Sequence, residues 1–288
     1  MGPSDGPTER PFESRRAFFV GRAEASPMLS VDIVRPESAR YTTSLLCVPG
    51  VWAGPGIWRA FAGYLAHRGW ESHLLDVRVL DAGVAERAAA VAAHAAALPA
   101  PPVLLGHDLG SLVVLAAAAR ARTAALVLLA PLVPGSAPAR ALALRPATFL
   151  QLLLARPVPP PSGAAAAPLC GELPAPLGSA VVASLAPESP RALREVVRPR
   201  TPPAAVAGVP ALVVAGDRDP LLPPPAAAAF ARTLGAEHRS LDAAGHWLLA
   251  GPAWQRGVGL VHRWIVQRLG EPLLERYAEA MAEREEER

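Results

Sequence analysis

The chain has 288 residues, 51% of them apolar, which is enough for one large domain or two small ones with buried cores. Its net charge of +3 comes from 28 basic and 25 acidic residues, and every basic residue is arginine: lysine and asparagine are both absent, which excludes Schiff-base chemistry through a lysine. The arginines are scattered among the acids without interleaved aromatics, so no nucleic-acid partner is indicated, and two cysteines, Cys47 and Cys170, are too few for a disulfide framework or a zinc cluster.

Residues 1–27 hold one four-residue apolar run, Ala17 to Val20, shorter than the core of a signal peptide, and read as a disordered leader on a cytoplasmic protein. No apolar run approaches the length of a membrane span. From there short β-like runs alternate with helix-like segments. "LSVDIV" (29–34) and "TSLLCVP" (43–49) read as strands, and "GIWRAFAGYLAHRG" (56–69) places Trp58, Phe61 and Leu65 at helical spacing. "SHLLDV" (72–77) is a strand, the alanine-rich segment 84–98 a helix, "PVLLGH" (102–107) a strand, 109–121 a helix and "AALVLLAP" (124–131) a strand. This alternation predicts an α/β fold with a mostly parallel sheet flanked by helices.

Between residues 132 and 205 the pattern breaks into proline-punctuated pieces, which predicts an insertion lying over one end of the sheet as a helical cap. Alternation resumes with "PALVVAG" (210–216), a helix near 224–234, a strand at 238–241 and a helix over 254–269. The expected division is thus a core from residues 28–131 and 206–270, a cap from 132–205 and a charged helical tail from 271–288.

Ligands of an open α/β sheet bind at the carboxyl ends of its strands, and three loops there carry chemistry. "LLGHDLGSLV" puts Asp108 in a turn flanked by Gly106 and Gly110, the small residues that a strained strand-to-helix elbow requires. "GDRDPLLPP" offers Asp217 and Asp219, and "DAAGHW" offers His246 before Trp247. Elbow residue, acid and histidine come in the order that triads take on such a sheet. His246 is then the expected base, oriented by a carboxylate on its other ring nitrogen.

Over roughly residues 28–270 the elbow, the "GDRDP" loop, the "GHW" loop and the cap position resemble the α/β-hydrolase superfamily. That resemblance implies Asp219 as the triad acid rather than Asp217, backbone donors at Val51 and Leu109 for an oxyanion, and neither cofactor nor metal. The family's oxyanion loop usually reads His-Gly, whereas this chain has Pro49 before Gly50, a replacement that keeps the glycine and removes neither donor. Gly50, Trp52, His107 and Trp247 are expected at the wall of the site, His107 chiefly as packing. Cys47 is expected in the core, and Arg78, Asp81 and Asp242 on the surface.

An aspartate in the serine's position changes the chemistry. Attack on a carbonyl would give an anhydride, whereas displacement at a saturated carbon gives a stable alkyl ester that His246-activated water can cleave. The branches that this resembles are epoxide hydrolases and haloalkane dehalogenases. Their leaving-group partners are missing: the tyrosines are Tyr41, Tyr64 and Tyr277, none in the cap, and the elbow's neighbour is Leu109 where a dehalogenase has tryptophan. Arginines of the cap, or a protonated Glu172, are the remaining polar candidates. The expectation is a hydrolase of a small-to-medium hydrophobic substrate with an Asp108 nucleophile, epoxide-hydrolase-like. The alternatives are a cofactor-independent lyase, isomerase or cyclase in which Asp108 and His246 move protons, an esterase-like enzyme, and an inactive binding protein. Oligomeric state is not written in the sequence.

Overall fold

The computed structural model describes residues 20–22, 29–79, 81–143, 145–162, 166, 170, 173–198 and 208–286. Strands β1 (Val20–Arg22), β2 (Ser30–Val34), β3 (Leu45–Val48), β4 (Ser72–Asp76), β5 (Val103–His107), β6 (Ala125–Leu129), β7 (Ala211–Gly216) and β8 (Glu237–Leu241) form one sheet in the order β1-β2-β4-β3-β5-β6-β7-β8. Pairing is antiparallel across β1, β2 and β4 and parallel from β4 to β8. β3, β5, β6 and β7 are buried along their whole lengths, as their continuous apolar runs require of parallel strands covered on both faces. Val20–Arg22 falls within the stretch expected as a leader without structure, and that expectation fails there because its backbone pairs with Asp32 to Val34. The neighbouring leader residues lie outside the described ones.

Alternate side chains of each central strand enter opposite layers, the period-2 consequence of a pleated backbone. Leu46, Leu104, Leu126 and Val213 join the layer containing α2 (Val84–Ala96), α3 (Leu109–Ala118) and α8 (Pro224–Leu234). Leu45, Leu105, Val127 and Val214 join the layer containing α1 (Arg59–Ala66) and α9 (Trp254–Glu286). The tail continues α9 without a break, giving 33 helical residues, about 50 Å. Cys47 is fully buried, and burial pushes its thiol pKa up, out of the reactive range.

The insertion between β6 and β7 is helical, with α4 (Ala137–Ala143), α5 (Pro146–Leu153), α6 (Ala175–Ser184) and α7 (Pro190–Val197). Two of its strap residues, Val158 and Glu188, pair through reciprocal backbone hydrogen bonds of 2.9 Å. Phe149, Leu150 and Leu153 of α5 and Leu154 just after it are exposed, while Thr148 and Leu152 turn inward. Glu172 lies outside the described residues. No helix among the described residues is long and apolar enough to cross a membrane.

Candidate active site

Asp108 ends β5 and begins α3 with φ 53° and ψ −121°, a left-handed backbone that a non-glycine residue adopts only when its surroundings force it. The forcing is steric and hydrogen-bonded at once. A Cβ on Gly106 would sit 2.5 Å from the carbonyl carbon of Gly110, so strand and helix meet at a distance that only glycine permits. The Asp108 amide donates to Leu129 O at 3.0 Å, its carbonyl accepts Ser111 N–H at 3.1 Å and Leu132 N–H at 3.3 Å, and Ser111 Oγ closes onto Gly106 O at 2.9 Å. The elbow therefore holds the carboxylate above the sheet, 7% exposed.

His246 follows β8 and is buried beside it. Its Nδ1–H donates to Asp219 Oδ2 at 2.9 Å, and its Nε2 lies 3.4 Å from Asp108 Oδ2, an ion-pair contact rather than an aligned hydrogen bond. Asp219 is locked by the amides of Leu221 and Leu222, which donate to its Oδ1 at 2.8 and 3.1 Å. Asp217 instead accepts the Ala244 amide at 3.1 Å and braces the histidine loop from its far side. Of the two acids in the "GDRD" loop, Asp219 is thus the one that meets the imidazole.

These contacts set the charges. Burial disfavours the His246 cation, but the Asp219 carboxylate and the contact with Asp108 outweigh it and push its pKa up to about 10. Burial would raise Asp219, yet the His246 charge and the three hydrogen bonds hold it below the ordinary carboxylate value. His107 is opposite: burial and the neighbouring His246 charge lower it to about 4, so it stays neutral. Its Nε2–H donates to the His246 carbonyl at 3.0 Å and its ring stacks on Trp247 at 5.5 Å, which makes it a spacer between the elbow strand and the histidine loop.

Gly50 packs against Asp108: a Cβ there would lie 2.6 Å from Asp108 Cβ and 3.0 Å from its Oδ2. The amides of Val51 and Leu109 have no hydrogen-bond partner among the described residues, and Asp108 Oδ1 is buried without one. Arg78 is not the surface charge that its loop suggests: it is three-quarters or more covered, pairs with Asp76 and donates from Nη1 to Trp52 O at 3.2 Å. Asp81 and Asp242 are exposed.

A cavity of about 860 Å³ lies between α6 and the loops after β3 and β8, with Ala53, Ile57, Leu177, Val181, Leu249 and Trp254 in its wall. Asp108, His246, Gly50, Val51, Trp52, His107, Leu109 and Trp247 do not line it. Sequence reading missed the buried pair Arg87 and Glu188, 2.5 Å apart between α2 and the cap strap. A signal for it existed: Arg87 falls at helical spacing within the buried stripe Val84, Ala88, Val91 and Ala95.

The sequence matches the alpha/beta hydrolase family over residues 45–255, and no curated protein sequence matches. An esterase from Thermogutta terrifontis, solved with malate bound, has TM-score 0.66 at 20% identity over 86% of this chain and 99% of its own. A monoacylglycerol lipase from Paleococcus ferrophilus has TM-score 0.63 at 16% identity over 83% and 99% of the two chains. A soluble variant of the Saccharomyces cerevisiae monoglyceride lipase, with a substrate analog, has TM-score 0.66 at 13% identity over 91% and 99%. Identities this low carry the fold and not the substrate. With the family matched over well more than half of its length, and the sheet, elbow and cap arranged as described, the chain belongs to the alpha/beta hydrolase family.

Proposed function

We propose that the protein is a hydrolase in which Asp108 is the nucleophile, His246 the base and Asp219 its orienter, and that it opens epoxides of small-to-medium apolar compounds. The observation that carries this reading is the Asp108 carboxylate on a strained elbow, 3.4 Å from a histidine whose other nitrogen is held by Asp219. In the first step an Asp108 oxygen bonds to an epoxide carbon, the carbon–oxygen bond on the far side breaks, and the alkoxide takes, through water, the Nε2 proton of His246, which leaves the imidazole neutral. In the second, water attacks the Asp108 ester carbonyl, His246 Nε2 takes one water proton, and the amides of Val51 and Leu109 stabilise the oxyanion; the ester bond to the substrate oxygen then breaks, and the departing alkoxide takes the other proton of the added water to give the diol, which restores the Asp108 carboxylate and the resting imidazolium. The apolar cavity beside the loops suits the remainder of such a substrate.

The raised pKa of His246 fits this order of events. In the resting enzyme two carboxylates keep it protonated; alkylation of Asp108 neutralises one of them, which lowers the pKa of the imidazole when a base is needed. The test is a single turnover of styrene oxide in heavy-oxygen water followed by mass spectrometry of the Asp108 peptide. Label in Asp108 is expected; label in the diol alone would refute a covalent step.

A resting imidazolium facing a carboxylate also favours a second reading, proton transfer within one substrate in a lyase, isomerase or cyclase. It expects turnover without incorporation of solvent oxygen into either product or enzyme.

A further inference from the structure

Gly50 to Ala53 form a β-turn closed by the Ala53 amide on Gly50 O at 3.2 Å. Trp52, its third residue, has φ 61°, while Val51 is not among the positive-φ residues, and that combination is a type II turn. The third position of a type II turn belongs by preference to glycine. A Val-Trp pair left to itself favours type I, in which the Val51–Trp52 peptide is flipped over. Something must hold the flipped peptide in place.

The holder comes from the cap. The Trp52 amide donates to Glu188 Oε2 at 3.3 Å, while Glu188 Oε1 accepts Arg87 Nη2 at 2.5 Å and the Ser189 amide at 2.7 Å. Glu188 and Arg87 are each 1% exposed, so the carboxylate is neutralised by a partner as buried as itself. The same strap grips the rest of Trp52: the Ala186 amide donates to its carbonyl at 2.9 Å and its indole N–H donates to Val158 O at 2.9 Å. In a type I turn the Val51 carbonyl would face the Glu188 carboxylate, oxygen against oxygen, with Trp52 N–H turned away.

We propose that Glu188 is a positioning residue for the turn that carries the Val51 amide, a cap-borne carboxylate that selects type II by holding the Val51–Trp52 peptide through the Trp52 N–H. This rests on the reading of Val51 as an oxyanion donor, and it ties the cap to the second chemical step: that step uses the oxyanion hole, whereas attack of Asp108 on the substrate does not.

The test compares two charge-free pairs, Arg87→Met with Glu188→Met and Arg87→Met with Glu188→Gln. Both remove the buried ion pair as a unit, which spares the fold from a lone buried charge. Only the glutamine keeps an oxygen to accept from Trp52, with Arg87 no longer competing for it. Amide hydrogen exchange reads the turn directly, and intact-mass spectrometry of a styrene oxide single turnover reads each step. The methionine pair is expected to exchange at Trp52 at least tenfold faster than the glutamine pair. It should also accumulate the Asp108 alkyl-enzyme, its second step slowed at least tenfold and its first changed less than threefold. Equal Trp52 exchange in the two pairs overturns the proposal, as does equal slowing of both steps. His246→Gln is the separate control: if it traps no adduct, the Asp108 nucleophile reading fails, whereas an adduct there with identical second steps in the two pairs removes Glu188 alone.

Discussion

At the scale of single residues the site is defined by charge as much as by geometry. Asp108, His246 and Asp219 lie in a line with His246 between two carboxylates, and the imidazole holds its proton because both neighbours favour the cation more than burial disfavours it. Removing one carboxylate should lower its pKa. Asp108→Asn keeps the shape and deletes a charge, so the His246 titration followed by imidazole NMR is expected to move down from about 10 by one unit or more. An unmoved titration would mean that Asp108 and His246 do not share the site in solution. In the proposed mechanism the same coupling makes alkylation of Asp108 the event that activates the base.

At the scale of elements the strand–elbow–helix unit carries the greatest local constraint. β5 and α3 cross at Gly106 and Gly110, and a methyl group at either glycine meets main chain rather than a movable side chain. Gly106→Ala therefore forces backbone apart, and a loss of about 3 kcal/mol or more is expected in denaturant melts, the scale of overpacking combined with lost backbone geometry. A change below about 1 kcal/mol would show that the elbow tolerates a wider crossing. The cap is bound to the core by another device. Its strap at Val158 and Glu188 is stitched to the turn at Trp52 and to Arg87 on α2, which ties the insertion between β6 and β7 to the loop after β3.

Across the whole molecule the site couples to stability through its protons. The folded pKa of His246 is about 10 against an ordinary 6.5, so its contribution is complete below pH 6.5 and is lost as pH rises from there to about 10. Asp219 has the opposite sign: its pKa is lowered, so its contribution is present above the ordinary 3.8 and is lost as the solution becomes more acidic. For this pair stability is greatest between about pH 4 and pH 6.5, inside which neither term changes much. Thermal melts from pH 6.5 to 10 should fall in the parent chain more than in His246→Gln, and parallel curves would contradict the assigned shift. Other groups titrate in that range, which is why the difference between the two proteins is the quantity to read.

Much of this organisation was legible in the residues themselves. The apolar runs at β3, β5, β6 and β7 named the parallel sheet because strands covered on both faces must be apolar throughout, and Gly106 and Gly110 around Asp108 named the elbow because only glycine allows that crossing. The chain order of Asp108, Asp219 and His246 named the cluster because loops at one end of a parallel sheet converge. Between Asp217 and Asp219 only the family resemblance chose, and not the residues' own chemistry: in the fold Asp219 is held by the amides of Leu221 and Leu222 and faces the imidazole, while Asp217 accepts the Ala244 amide. Nor could the sequence show that Arg78 turns inward. Glu188 stands 136 residues from Trp52, and a hydrogen bond across that separation exists only after the cap has folded back over the sheet. Local pattern determines elements and their order; the pairing of distant polar groups is decided by packing, because it is burial that forces each of them to find a partner.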